Sequence, residues 1–128
     1  MGFVFDSTKK GLETVFRGYQ MIAIRLLWER GKEGIISKDV WLHVNKILLE
    51  SGKSISRASI INYLNDMVEQ GILRYTERSG KGGFHRVYTP VHDESGFKEF
   101  LVKQLIEKLL EEFPDETNKA ISKIRDKT

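Results

Sequence analysis

The sequence predicts an α+β fold, mostly α. Apolar residues recur at helical spacing in successive stretches, and between residues 72 and 89 that spacing gives way to alternation around a glycine-rich turn. The chain has 128 residues, 40% hydrophobic and 30% charged, with 2 Pro, which suits one core plus an appendage. This composition is too apolar for a disordered chain and too charged for a membrane protein. No apolar run approaches the roughly 20 residues that span a bilayer. In MGFVFDSTKK the charge follows the apolar residues, unlike a signal peptide. The absence of Cys excludes disulfides, thiolate catalysis and Cys-ligated metals. The expected compartment is cytoplasmic. A net charge of +3 leaves room for a basic patch without establishing one.

Each element follows from local signals. Ser7 is expected to N-cap a short helical stretch holding Leu12, Val15 and Phe16, with a bend at Gly18. A helix runs from Tyr19 to Arg30 and ends at Gly31. Gly34-Ile35-Ile36 suits a small edge strand. Ser37 is the expected N-cap of the next helix, with Asp39 in its first turn, and that helix ends near Ser51-Gly52. Ser56 caps a third helix, whose stripe is Ile60, Leu64, Met67 and Val68, and Gly71 closes it. Ile72–Thr76 and Phe84–Thr89 form a hairpin around Ser79–Gly83. A last helix covers about Gly96 to Phe113 and stops at Pro114, followed by a polar tail with at most a short helix around Ala120, Ile121 and Ile124. Trp28 and Trp41 are expected in the core, and Tyr88 between the hairpin and the helices.

A helix-turn-helix followed at once by a hairpin is the layout of a winged helix-turn-helix, here with a C-terminal helix for dimerisation. The expected organisation is an N-terminal segment at 1–18, a winged-helix domain at 19–92, and the dimerisation helix with its tail at 93–128. The stretch Ser56–Pro90 resembles the recognition helix and wing of the penicillinase-repressor family. The resemblance rests on Leu64, Met67, Gly71 and Leu73, on Tyr88-Thr89-Pro90, and upstream on Leu27-Trp28. It implies a homodimeric repressor of palindromic operators. Members of that family sense signals by proteolysis or through cysteine-bound metal. The second route needs thiolates, so any small-molecule inducer is left open.

On a helical wheel the face opposite the stripe of the third helix carries Ala58, Ser59, Asn62 and Asn65, flanked by Ile61 and Tyr63. Asn can bond adenine in two places, Ser can bond several base edges, and Tyr can pack on a thymine methyl. Arg57 lies at the helix start, where a phosphate gains from charge and dipole together. Ser56, Arg57, Ser59, Asn62 and Tyr63 are therefore candidate DNA contacts; the plainer alternative is a solvated helix face. The hairpin adds Arg78, Lys81, His85 and Arg86, with Lys81 at a glycine turn able to reach a phosphate or the minor groove; the plainer alternative is charges that keep an edge hairpin soluble. SGKGG lacks the spacing of a phosphate-binding P-loop. His43, His85 and His92 have no ligand spacing, no catalytic constellation is visible, and no metal or cofactor is expected.

In the last helix Phe97, Phe100, Leu101, Leu105, Leu109 and Phe113 belong to an apolar arc wider than one small core needs. A second copy of the chain is the simplest cover, and the N-terminal segment is a candidate for the same interface. The expected protein is thus a homodimeric regulator that binds double-stranded DNA, with residues 56–70 in the major groove and residues 74–88 on the backbone. The competing expectations are a protein-interaction module of a larger assembly, and an accessory that binds single-stranded or structured nucleic acid.

Overall fold

A computed structural model describes residues 3–80 and 82–127. The fold is α+β and mostly helical, with one small three-stranded antiparallel sheet. Two compact units divide it, residues 1–93 and 94–128.

In the first unit the helices are α1 (Tyr19–Arg30), α2 (Ser37–Leu48) and α3 (Arg57–Glu69). The strands are β1 (Ile35–Ile36), β2 (Leu73–Gly80) and β3 (Gly83–Pro90), in the order β1-β3-β2. The core joins Ala23, Ile24 and Leu27 of α1, Val40 and Val44 of α2, and Ile60 and Leu64 of α3, all fully buried. Ile72, Leu73 and Tyr88 close it from the hairpin side.

The helix ends follow the glycine signals. α3 ends in a two-bond C-cap: the N–H of Ile72 donates to Met67 O at 2.9 Å and that of Gly71 to Val68 O at 3.1 Å, with Gly71 at φ +79. At the other end of α3, Ser56 Oγ accepts from the N–H of Ser59 at 3.1 Å, as a capping serine should.

Other local expectations are corrected. Ser7 caps nothing, and only a 3₁₀ turn forms at Gly11–Thr14. Asp6 organises this segment: its Oδ1 accepts from the N–H and hydroxyl of Thr8 at 2.9 and 2.6 Å, and these bonds lower its pKa. Leu12, Val15 and Phe16 are buried nonetheless. Ser37 is the first residue of α2, and the N-cap position falls to Ile36, which pairs with Val87 in the sheet and offers no capping side chain. Trp28 and Trp41 are half-buried. The hairpin strands run longer than expected, pairing from Leu73↔Pro90 out to Gly80↔Gly83. Gly82 and Gly83, at φ +87 and +105, help to reverse the chain in a tight turn. Val68 is half-buried, and Tyr63 takes the place expected for it in the inward stripe.

The second unit holds α4 (Glu94–Glu112) and α5 (Pro114–Asp126). The segment after Pro114 is a regular helix, longer than the short one around Ala120, Ile121 and Ile124 that the polar tail offered. Proline stops one helix but also suits the first position of the next, where its missing N–H costs nothing. Asp115 and Glu116 in the first turn and Lys123 and Arg125 in the last complement the α5 dipole. Thr117 ties the pair together, its hydroxyl donating to Leu109 O at 3.0 Å.

Gly34 sits where α1 turns into β1, at φ +75. A Cβ there would lie 2.6 Å from Val87 Cγ1 and 3.0 Å from Tyr88 O, so the close approach of this turn to β3 requires glycine. Gly34→Ala adds an unfavourable backbone angle to a core clash and is expected to cost about 2–4 kcal/mol. Urea unfolding followed by tryptophan fluorescence measures it; a loss below about 0.5 kcal/mol contradicts the packing described.

Candidate nucleic-acid interface

The turn between α2 and α3 is held by side chains of α2. Asn45 Oδ1 accepts from the N–H of Ile55 at 2.8 Å, and its Nδ2 donates to Ile55 O and Trp41 O, both at 3.1 Å. Trp41 Nε1 donates to the same Ile55 oxygen at 2.9 Å. Asn45 thus satisfies both backbone groups of Ile55, in the manner of a strand partner. The angle at which α3 leaves the turn is fixed one residue before its cap.

The far side of α3 is joined to the hairpin. Asn65 Oδ1 accepts from the Tyr88 hydroxyl at 2.8 Å and from Arg86 Nη1 at 3.1 Å. The guanidinium carbon of Arg86 lies 4.1 Å from the centre of the Tyr75 ring. Tyr88 is 2% exposed; burial raises its pKa, a rise opposed by Arg86. Side chains alternate along a strand, so Phe84, Arg86 and Tyr88 share one face of β3, opposite Ser79, Glu77 and Tyr75 of β2.

Between α3, β3 and the start of α2 lies a groove of about 380 Å³. Arg57, Ile61 and Asn65 line it at one-turn intervals along α3; Ser37 and Lys38 line it from α2, and Phe84, His85, Arg86 and Tyr88 from β3. Among the described residues no carboxylate lines it, and Lys38 and Arg57 form no ion pair. The first turn of α2, uncapped by any side chain, lies at its edge. The groove therefore carries positive charge from its side chains.

The residues singled out from sequence divide into groups. Arg57, His85 and Arg86 come together in the groove. Asn62 is exposed on α3, outside the groove lining. Ser56 and Ser59 are engaged with each other, since the Ser56 hydroxyl also donates to Ser59 Oγ at 2.9 Å. Arg78 lies directly across the hairpin from His85. Lys81 lies outside the described residues. Tyr63 is corrected: it is 5% exposed and cannot present its ring to a ligand. Its hydroxyl donates to Gln20 O at 3.2 Å, and its ring meets Phe16 and Tyr19 edge-on. Lys38 and Asn65 were not singled out as contacts. Asn65 was visible as a wheel position, but its bonds to a strand more than twenty residues on leave no local trace.

The apolar arc of α4 is also corrected. Phe97 and Leu101 are buried within a single chain, so they offer no surface to a second copy. Phe100 and Leu105 are half-buried, and Leu109 and Phe113 are exposed. With Val102 and Ile106 they form an exposed stripe at residues 102, 106, 109 and 113. No family model matches the chain, and no curated protein matches it.

Burial, helped by the nearby Tyr19, raises the Tyr63 pKa well above 10. The folded state therefore retains this proton where the unfolded chain releases it, and stability falls as pH rises above about 10. Tyr63→Phe removes this group's contribution and is expected to move alkaline unfolding, followed by circular dichroism, to higher pH. An unchanged alkaline midpoint would show that Tyr63 does not contribute to it.

Proposed function

We propose that this protein is a winged-helix regulator that binds double-stranded DNA, with α3 in the major groove and the hairpin against the sugar-phosphate backbone. The observation that carries this reading is the cationic groove between α3 and β3, where Lys38, Arg57 and Arg86 converge and no described carboxylate intervenes. Phosphates are the ligand such a surface suits. Asn62, exposed on α3, is the residue for reading a base edge.

The likeness to penicillinase repressors agrees with this reading in one respect. Leu64, Met67, Leu73 and Tyr88 are buried, and Gly71 caps α3, so the shared positions build the helix-and-hairpin frame. A repressor role and a cytoplasmic setting are part of the same proposal; no described helix is long and apolar enough to cross a membrane. The groove operates without a cofactor in this scheme.

Homodimerisation is proposed through α4, by a narrower surface than the whole arc. Val102, Ile106, Leu109 and Phe113 follow the alternating four- and three-residue spacing of a coiled-coil seam, flanked by charges such as Lys103 and Glu107. Two copies related by a two-fold axis would read a palindrome, with half-sites about 10–10.5 base pairs apart.

Binding to duplex DNA across a salt series tests the main reading. Lys38→Ala and Arg57→Ala are each expected to weaken binding to all duplexes and to flatten the log–log salt slope by about 0.9. Asn62→Ala should change stability by no more than about 0.5 kcal/mol. It should weaken specific binding by about 1–3 kcal/mol per half-site and spare non-specific binding. Unchanged binding in all three variants would favour a protein-interaction module instead.

Ile106→Glu places a charge in the middle of the proposed seam. Light scattering at tens of micromolar should show a dimer for the wild type and a monomer for the variant. A monomeric wild type contradicts the seam.

A further inference from the structure

Away from the groove, the first unit has a hollow of about 260 Å³ between the N-terminal segment, the start of α1 and the second half of α3. Val15 and Phe16 line it from the segment, and Tyr63 and Met67 from the helix, all of them buried. It is smaller than sites that enclose drug-sized molecules, so its occupant is small. Most of its polar groups are already engaged. Arg17 pairs with Asp6 at 3.8 Å, Gln20 Oε1 accepts from the N–H of Arg17 at 3.2 Å, and the Tyr63 hydroxyl donates to Gln20 O. Two groups on α3 are different. Asp66 is exposed and forms no ion pair among the described residues. Gln70, half-buried at the end of the helix, has a side-chain oxygen withdrawn from solvent with no hydrogen-bond partner. Residues four apart share a helix face, so these two acceptors line the hollow as neighbours.

We infer that this hollow binds a small organic cation, an ammonium group on an apolar body. An ammonium offers donors and no acceptor, which is what two acceptors side by side require. Asp66 supplies the opposing charge. Gln70 supplies the second acceptor, which a small turn about its broad last torsion presents to the hollow. A buried acceptor without a donor costs free energy, and the ligand recovers it. The body of the ligand packs on Phe16 and Met67, and the aromatic rings of the wall favour a cation over an anion. An anion would face Asp66 and would have to compete with Asp6 for Arg17. The occupant would touch the N-terminal segment and α3 together, tying the segment to the helix that carries Asn62 one turn before Asp66. The inference goes beyond the duplex-binding reading and does not rest on it, so either can fail alone.

The test uses the full chain and three probes of similar shape: phenethylamine, cationic at neutral pH, the neutral phenethyl alcohol and the anionic phenylacetate. Binding is read by calorimetric titration and by backbone amide shifts in NMR. Phenethylamine is expected to bind with a Kd of about 1 mM or tighter, at least about tenfold more tightly than either other probe. The amide shifts should centre on Phe16, Met67 and Gln70. Asp66→Asn, at an exposed position, should fold normally and weaken amine binding about tenfold while leaving the alcohol unchanged. Gln70→Glu, which adds a second carboxylate, should tighten amine binding. No saturable amine binding, equal affinity for amine and alcohol, or amine binding that Asp66→Asn leaves unchanged overturns the cation site. Tighter binding of phenylacetate also overturns it, by making Arg17 the recognising charge. Amide shifts confined to other parts of the chain place the amine elsewhere and overturn it as well.

Discussion

Asn65 accepts two hydrogen bonds on one amide oxygen, from the Tyr88 hydroxyl and from Arg86, and the groove depends on that junction. Apolar packing between α3 and the hairpin is non-directional and permits sliding, which these two bonds oppose. The Tyr88 hydroxyl is carried into a nearly closed environment, where an unmade bond costs more than a made one contributes. Arg86, stacked on Tyr75, stands in a set position before any ligand arrives. On the opposite side of α3, Asn45 grips both backbone groups of Ile55. The helix is thus oriented by two asparagines, one ahead of its start and one in its second half, with apolar packing between them.

This arrangement bears on recognition because a cation already in position loses less side-chain freedom on meeting a phosphate than one that must be gathered from solvent. Lys38 is supplied by α2, Arg57 by α3 and Arg86 by β3, so the charge of the groove is a property of how these elements meet. Two of these cations have an acid close by, along the chain or across the hairpin. Asp39 follows Lys38 directly, and Glu77 faces Arg86 across the hairpin. Local charge along the chain marked Arg57 and Arg86 but not Lys38, which Asp39 follows.

What could be read from sequence was what short-range physics decides. Gly31, Gly52 and Gly71 mark the ends of helical stretches because positive φ suits glycine, and the change of period after Gly71 marks the hairpin. Ser56 could be recognised as a cap because its partner lies three residues away. Two of the misreadings have a non-local cause. The helical wheel put Tyr63 at the flank of the outward face, yet its ring is buried and its hydroxyl finds Gln20 O forty-three residues upstream. Phe97 and Leu101 looked equivalent to Leu109 and Phe113, since periodicity describes a helix and not what covers it. Pro114 was read as an ending when it is equally a beginning. Of the groove, Arg57 and Arg86 were legible as cations; the asparagine bonds that set their surroundings were not.

We propose that this groove and the outward face of α3 select duplex DNA by sequence. A selection from random double-stranded oligonucleotides with the purified protein tests it most directly. Enrichment of one motif is expected, repeated as an inverted pair with centres about one helical turn apart. A pool that stays random after repeated rounds, at salt low enough for retention, would contradict it.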